Sequence, residues 1–269
     1  MLSKLQKKIT RTLQKSQRLY NDLLNCRVIR INRYHGLNVL DDIRTRTTSD
    51  LNTIFDVGAN VGQSAKMYSK KLPHAQIYCF EPVHETFKEL QAKFSESKNV
   101  HCFQLAFGSE EKQVEITLQK YSIENSLLNP SNNHSNIEIS ESGVARTEMI
   151  QVTTIPDFCQ KHDIKQIDFL KIDTEGYDLE VLKGTKSLLE DHKITYVQVE
   201  AGMNYNNKKH VPIQEFIQYL EPLGYVLFGI YDQMAWFQNK ARLRFCNPVF
   251  ISEKEVEDRS REGIDQLMY

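Results

Sequence analysis

Nowhere in the 269 residues do about eighteen apolar residues run together, so no helix is expected to span a membrane. The start of the chain lacks the apolar core of a signal peptide, and a cytoplasmic protein is expected. The five cysteines (Cys26, Cys79, Cys102, Cys159 and Cys246) make no C-x-x-C pair. Their odd number and spacing suit a reducing compartment rather than a disulfide framework. A dominant charge is missing as well. With 34 Lys and Arg against 35 Asp and Glu, the formal net charge of -1 gives no overall basic field, so nucleic acid is not expected as a partner. No internal repeat is visible. What remains is an ordinary globular composition, 40% hydrophobic and 26% charged, long enough for one α/β domain with appendages or for two small domains.

The stretch from residue 53 to 62, Thr-Ile-Phe-Asp-Val-Gly-Ala-Asn-Val-Gly, organises the rest. Thr53, Ile54, Phe55 and Val57 are β-branched or aromatic and predict a buried strand. Gly58 and Gly62 follow with Asn60 between them, and residues 64–71 read as a helix. The loop amides and the helix N-terminus are therefore expected to face a carboxylate or phosphate. A dinucleotide fingerprint, G-x-G-x-x-G, wants glycine where Asn60 stands, and here it fails. Asp56, just upstream, can accept hydrogen bonds from a ligand ammonium or its waters, which suits an amino-acid-like ligand better than a pyrophosphate. S-adenosylmethionine has such an end. Glu81 follows a second strand at 76–80, roughly twenty residues past the loop, where an acid reaches ribose hydroxyls. Alone it reads as well as a solvated loop acid before Pro82. Asp56, Gly58, Asn60, Gly62 and Glu81 are the expected cofactor contacts, with Ala106 of the third strand added.

From residue 52 onward strands and helices alternate, which implies a parallel sheet with helices on both faces. Helices are expected near 64–71 and 84–95, a third strand over 100–107, and an added antiparallel strand at 114–118. Later strands at 149–154, 167–172, 196–199, 225–230 and 248–252 alternate with a short helix opened by Pro156 and with helices over 179–190 and 212–220.

Two regions stand apart. Residues 1 to about 33 space Leu2, Leu5, Ile9, Leu13, Leu19 and Leu23 mostly at three and four residues among Lys and Arg, with Asp22 the only acid. A basic amphipathic helix of this kind packs on its own domain or a second subunit, or lies on an anionic membrane surface. The first is preferred, since Leu rather than Trp or Phe makes the apolar face. Residues 121–147 form a polar, Ser- and Asn-rich insert that reads as a lid, a binding loop or a disordered segment. The expected division is a helical extension over 1–50, an α/β domain over 51–252 and a tail over 253–269.

In open α/β sheets the ligand lies across the carboxyl ends of the strands. Two such ends are rich in acid: residues 167–176, Ile-Asp-Phe-Leu-Lys-Ile-Asp-Thr-Glu-Gly, and residues 197–200, Val-Gln-Val-Glu. Were the ligand S-adenosylmethionine, passing its methyl to an oxygen would need that oxygen aligned and a base to take its proton. Asp173 is the first candidate for that base, Glu200 the second and His210 the third. Lys171 shares a strand face with Asp173 and is expected to pair with it or with Glu200. Glu175 joins this set, its alternative being support of a helix start. Asp173, Glu175 and Glu200 could together hold a divalent cation, but spacing fixes no distances between them.

Asp56-Val-Gly-Ala-Asn-Val-Gly62, Phe80-Glu81-Pro82, Asp168-Phe-Leu-Lys-Ile-Asp-Thr-Glu-Gly176 and Glu180-Val-Leu-Lys-Gly184 together resemble the FkbM family of S-adenosylmethionine-dependent methyltransferases. Asn125-Ser126-Leu127 and Phe245-Cys-Asn247 match more weakly, and the likeness runs over about residues 52–252. Many methyltransferases share the glycine loop; Leu-Lys-Ile-Asp-Thr-Glu-Gly is far more specific. The resemblance implies a Rossmann-like class I fold with a mostly parallel seven-stranded sheet, S-adenosylmethionine as cofactor, and methylation of a hydroxyl on a sugar, glycan or glycolipid acceptor. A polyketide or other secondary metabolite is the alternative acceptor, and a non-catalytic cofactor-binding scaffold the alternative role. A nicotinamide oxidoreductase is disfavoured by Asn60.

Overall fold

The computed structural model describes residue 13 and residues 36–47, 50–118, 146–204, 209–235 and 243–256. Apart from residue 13, the basic helix expected over residues 1–33 lies outside the described residues, as do nearly all of the polar insert and the tail beyond 256. The chain divides into two units, Met1–Thr47 and Thr48–Tyr269. In the first, helix α1 (Val39–Arg46) is capped by the Asn38 side chain, which accepts the Asp41 amide at 3.1 Å. Asp41 and Asp42 in its first turn and Arg44 and Arg46 in its last complement the helix dipole.

The second unit runs β1 (Thr53–Val57), α2 (Gln63–Lys71), β2 (Gln76–Phe80), α3 (His84–Lys93), β3 (Val100–Phe103), β4 (Ala106–Phe107), β5 (Lys112–Thr117) and β6 (Thr147–Thr153). It continues through α4 (Ile155–Lys161), β7 (Ile167–Ile172), α5 (Asp178–Gly184), α6 (Lys186–Glu190), β8 (Ile194–Val199), β9 (Ala201–Gly202), α7 (Ile213–Leu220), β10 (Tyr225–Ala235) and β11 (Leu243–Ser252). The main sheet has the order β10-β11-β8-β7-β1-β2-β3, with the short β9 beside β11. Strands β1, β2, β3, β7 and β8 are parallel, and β11 runs antiparallel to β8, β9 and β10. The chain winds outward from β1 to β3 and then returns to β7 on the other side of β1. That reversal is where open α/β sheets bind ligands.

Period-two alternation separates the two sheet faces. Phe55, Val57, Leu170, Ile172, Val197 and Val199 share one core with α4, α5, α6 and α7 through Phe158, Val181, Leu189 and Phe216. On the other face Tyr68 of α2 meets Phe169 with ring centroids 6.0 Å apart. Helices thus cover both faces. Phe158 is a hub, with ring centroids 4.9 Å from both Phe80 and Phe103.

The third strand is shorter than the sequence suggests. The chain leaves the main sheet after Phe103, and β4 instead pairs with β6 in a second sheet of order β4-β6-β5. Gln104 fixes the exit by donating to the Pro82 carbonyl at 3.3 Å. The helix expected over 179–190 is two helices, because Thr185 turns back to the Val181 carbonyl at 2.7 Å. Gly184, just before the break, lies against Gly108, whose carbonyl carbon would be 2.7 Å from any Cβ there. The final strands extend well beyond 225–230 and 248–252 as a long hairpin with register shifts.

Among the described residues no helix is long and apolar enough to cross a membrane. Helix α4 starts at the Thr154 cap, whose Oγ1 accepts the Asp157 amide at 3.2 Å. Thr154→Ala is expected to lower stability by about 1 kcal/mol, read from the urea midpoint; an unchanged midpoint would remove the cap from the account.

Candidate active site

At the carboxyl end of β1 the backbone enters the left-handed region three times, at Gly58 (φ 78), Asn60 (φ 50) and Gly62 (φ 76). Asparagine tolerates this conformation, and the Asn60 Oδ1 accepts the Val61 amide at 2.7 Å. Gly58 is dictated by the neighbouring strand. A Cβ there would fall on the Asp173 carbonyl oxygen and 2.8 Å from its carbon. At Gly62 the obstacle is packing, since a Cβ would sit 2.8 Å from Leu90.

The loop amides are engaged inside the protein, unlike the exposed set the sequence suggests. Those of Gly58 and Ala59 both donate to the Phe80 carbonyl at 3.0 Å, and that of Gly62 to Ala59 at 2.8 Å. Asn60 donates to Glu81 Oε2 at 3.1 Å, and Val83 donates to Glu81 Oε1 at 3.0 Å. What remains for a ligand is the first turn of α2, where Gln63 and Ser64 line the cavity and helix geometry leaves the leading amides without intrahelical acceptors. Burial pushes the Glu81 carboxyl up to about 7, against the pull of its two amide donors.

A cavity of about 320 Å³ opens at the switch point. Its floor is Val57–Asn60 after β1, Glu81–Val83 after β2, and Lys171 with Asp173, Thr174 and Glu175 at β7. The small sheet supplies an apolar wall through Ala106, Phe107, Ile116 and Ile150. Glu148 of β6 holds this wall to the start of α3 by accepting the His84 amide at 2.9 Å. Of the residues singled out in the sequence, the cavity brings together Gly58, Asn60, Glu81, Ala106, Lys171, Asp173 and Glu175. Asp56, Gly62 and Glu200 do not line it.

Asp56 is fully buried and does not line the cavity. Its Oδ1 accepts Lys171 Nζ at 3.2 Å, while Lys171 also reaches Asp173 Oδ2 at 3.1 Å. Burial drives the Asp56 carboxyl up, and Lys171 offsets this only in part. Burial also pulls the Lys171 ammonium down, but Asp173 and Asp56 outweigh it and hold it well above its ordinary range.

Beyond Asp173 the chain turns through Glu175 in the left-handed region (φ 53). Burial, then Glu200 and Asp173, push the Glu175 carboxyl up to about 8. Glu200 follows β8, and its Oε2 lies 2.9 Å from His210 Nε2. The His210 ring stacks on Phe245 with centroids 5.0 Å apart. Glu175, Glu200 and His210 therefore converge. Asp178, which the motifs leave unmarked, ties these pieces together. Its Oδ2 accepts from Thr174 Oγ1 at 2.9 Å and from the Gly176 amide at 3.3 Å, and its Oδ1 faces the Glu200 amide at 3.4 Å. Burial and then Asp173 push the Asp178 carboxyl up to about 7. An acid in the first turn of a helix reads as a dipole partner, so nothing in the sequence marks it out.

Known proteins resemble this chain over much of its length. The 2-O-methyltransferase NoeI of Sinorhizobium fredii is 21% identical over 54% of this chain and 62% of its own length. The hexuronic acid methyltransferase AglP of Haloferax volcanii is 26% identical over 56% of this chain and 57% of its own. The chain thus spans less than two thirds of either relative. A TehB-like SAM-dependent methyltransferase from Corynebacterium glutamicum superposes with a TM-score of 0.41 at 10% identity, covering 90% of this chain and 98% of that one. Residues 56–227 match the methyltransferase FkbM domain over more than half of the chain, and the protein belongs to that family.

Proposed function

We propose that the protein is an S-adenosylmethionine-dependent O-methyltransferase that acts on a hydroxyl of a sugar, glycan or glycolipid. One observation carries the reading: a single cavity at the sheet's switch point is lined by both Glu81 and Asp173. The cavity is within the range of about 300–1,000 Å³ usual for small-molecule sites. The residues present fit the cofactor. Glu81 is a buried carboxylate that holds one amide on each oxygen and keeps acceptor capacity for two ribose hydroxyls. The first turn of α2 offers amides to a carboxylate, and Ile116 and Ile150 offer an apolar face to a base. S-adenosylmethionine, when bound, supplies a methyl already activated by a sulfonium. Asp173, half-exposed at the mouth of β7, takes the acceptor hydroxyl proton on its carboxylate. The relatives named for 2-O and hexuronic acid methylation support a hydroxylated acceptor.

Calorimetry tests the cofactor half. The chain should bind S-adenosylmethionine and S-adenosylhomocysteine but not NAD, and Glu81→Ala should weaken binding by about 1.5–3 kcal/mol, the range for a hydrogen bond to a charged group. The pH dependence has a definite sign. A carboxyl raised to about 7 is neutral below that pH and ionised above it, and the ionised form is the better acceptor for ribose hydroxyls. Affinity should therefore rise as pH passes upward through about 7, with proton release on binding below it. The neighbours that face Glu81 electrostatically are Glu148 and Asp56, both raising it. Comparison with Glu81→Gln isolates its share; an equal pH slope in that variant would take Glu81 out of the ribose role. Transfer of labelled methyl to a panel of sugars and glycolipids tests the acceptor.

A further inference from the structure

Beside the cavity, one strand further along the sheet, Glu175, Glu200 and His210 come from three separate segments. Each offers one donor atom, and the three atoms all lie within 4.8 Å of one another. The His210 side chain is 5% exposed and that of Glu200 15%, so neither is an ordinary solvated surface group. A first-row cation with bonds of about 2.0–2.2 Å sets three donors roughly 3–3.8 Å apart, so the widest pair, within 4.8 Å, would close by at most about 1–2 Å.

We infer that Glu175, Glu200 and His210 form a binding site for a divalent first-row transition cation at the acceptor side of the cavity. Two carboxylates neutralise the charge of such an ion. The imidazole selects Zn²⁺ or Mn²⁺ over Mg²⁺, which prefers oxygen donors alone. Three protein donors leave coordination positions for water or for two neighbouring hydroxyls of a sugar.

The surroundings are built for this. Asp173 lines the cavity two residues before Glu175, and Asp178 lies three residues after it. Lys171, buried beside them, is already shared between Asp56 and Asp173. Asp178 anchors both carboxylate ligands from behind, accepting the Gly176 amide next to Glu175 and facing the amide of Glu200 itself. Phe245 stacks on His210 and fixes the plane of its ring. Outer partners of this kind hold metal ligands in place. The ion's service to the acceptor rests on the methyltransferase reading; its binding does not.

The test uses the full chain, stripped with a chelator and titrated by calorimetry with ZnCl₂, MnCl₂ and MgCl₂, with Mn²⁺ also followed by electron paramagnetic resonance. Expected are one ion per chain, Zn²⁺ and Mn²⁺ binding more tightly than Mg²⁺, and losses of more than tenfold in both His210→Gln and Glu175→Gln. The two variants sit on different segments, and thermal midpoints measured on the same samples report that each is folded. Absence of saturable binding would overturn the inference, leaving only the Glu200–His210 contact. So would affinity unchanged in both variants, which would place the ion elsewhere. Cofactor binding without an ion would sink the cation site alone, and ion binding without cofactor would sink the methyltransferase reading alone.

Discussion

Asp173→Asn is expected to lower turnover by about 10²–10⁴ while cofactor affinity stays within about twofold, since a general base contributes in that range to the chemical step alone. The substitution keeps the shape of the side chain and its contact with Lys171 within reach, but an amide cannot take up the acceptor proton. Asp173 lines the cavity with its side chain 38% exposed, whereas Glu200 does not line it and faces His210. That placement is why Asp173 ranks first. Single-turnover methyl transfer from labelled cofactor, with binding measured separately, separates the two effects. A large loss in Glu200→Gln together with near-normal turnover in Asp173→Asn would reverse the order of the acids.

Lys171→Met should destabilise the fold far more than loss of the Thr154 cap, by about 3–5 kcal/mol, because removing one partner of a buried pair strands the other charge. Asp56 has zero exposure and Lys171 is its ion-pair partner at 3.2 Å. The loss should depend on pH, and the direction follows from the Asp56 carboxyl. Burial raises it in the native protein, and Lys171 is the main influence pulling it down. Without that lysine it rises further, so an ionised Asp56 is costly and a protonated one is tolerated. The deficit relative to the native chain should therefore shrink as the medium is acidified and grow toward neutral pH. Urea midpoints for both proteins across that range decide it. A deficit that ignores pH would mean that lost packing, rather than a stranded carboxylate, accounts for the change.

The interior strands are legible in the sequence with unchanged bounds: Thr53–Val57, Gln76–Phe80 and Ile167–Ile172. Each is a β-branched or aromatic run closed by glycine, proline or acid, and burial on both faces leaves little room for another reading. Of the candidate cavity, the lining carried by strand ends is the legible part: Gly58, Asn60, Glu81 and Asp173. What escapes depends on contacts distant in sequence. Nothing local announces that Ala106 and Phe107 will pair with Val152 and Thr153, nor that Asp178 will reach the Glu200 amide. The loop amides read as free for the same reason: Phe80 and Glu81, which consume them, lie on the next strand. Sequence spacing shows Asp56 but not the lysine 115 positions away that pairs with its Oδ1.

The tight abutment of Gly58 on the backbone of Asp173 has a bearing on how this protein can be recombined with relatives. Residue 58 belongs to the proposed cofactor loop and residue 173 is the proposed base, yet neither backbone can move without displacing the other. A chimera that imports one of these two segments without the other joins surfaces that never adapted to each other. Crossovers meant to exchange acceptor preference should leave the turn after β1 and the end of β7 together as one inherited block, and draw their variation from the segments beyond Glu175.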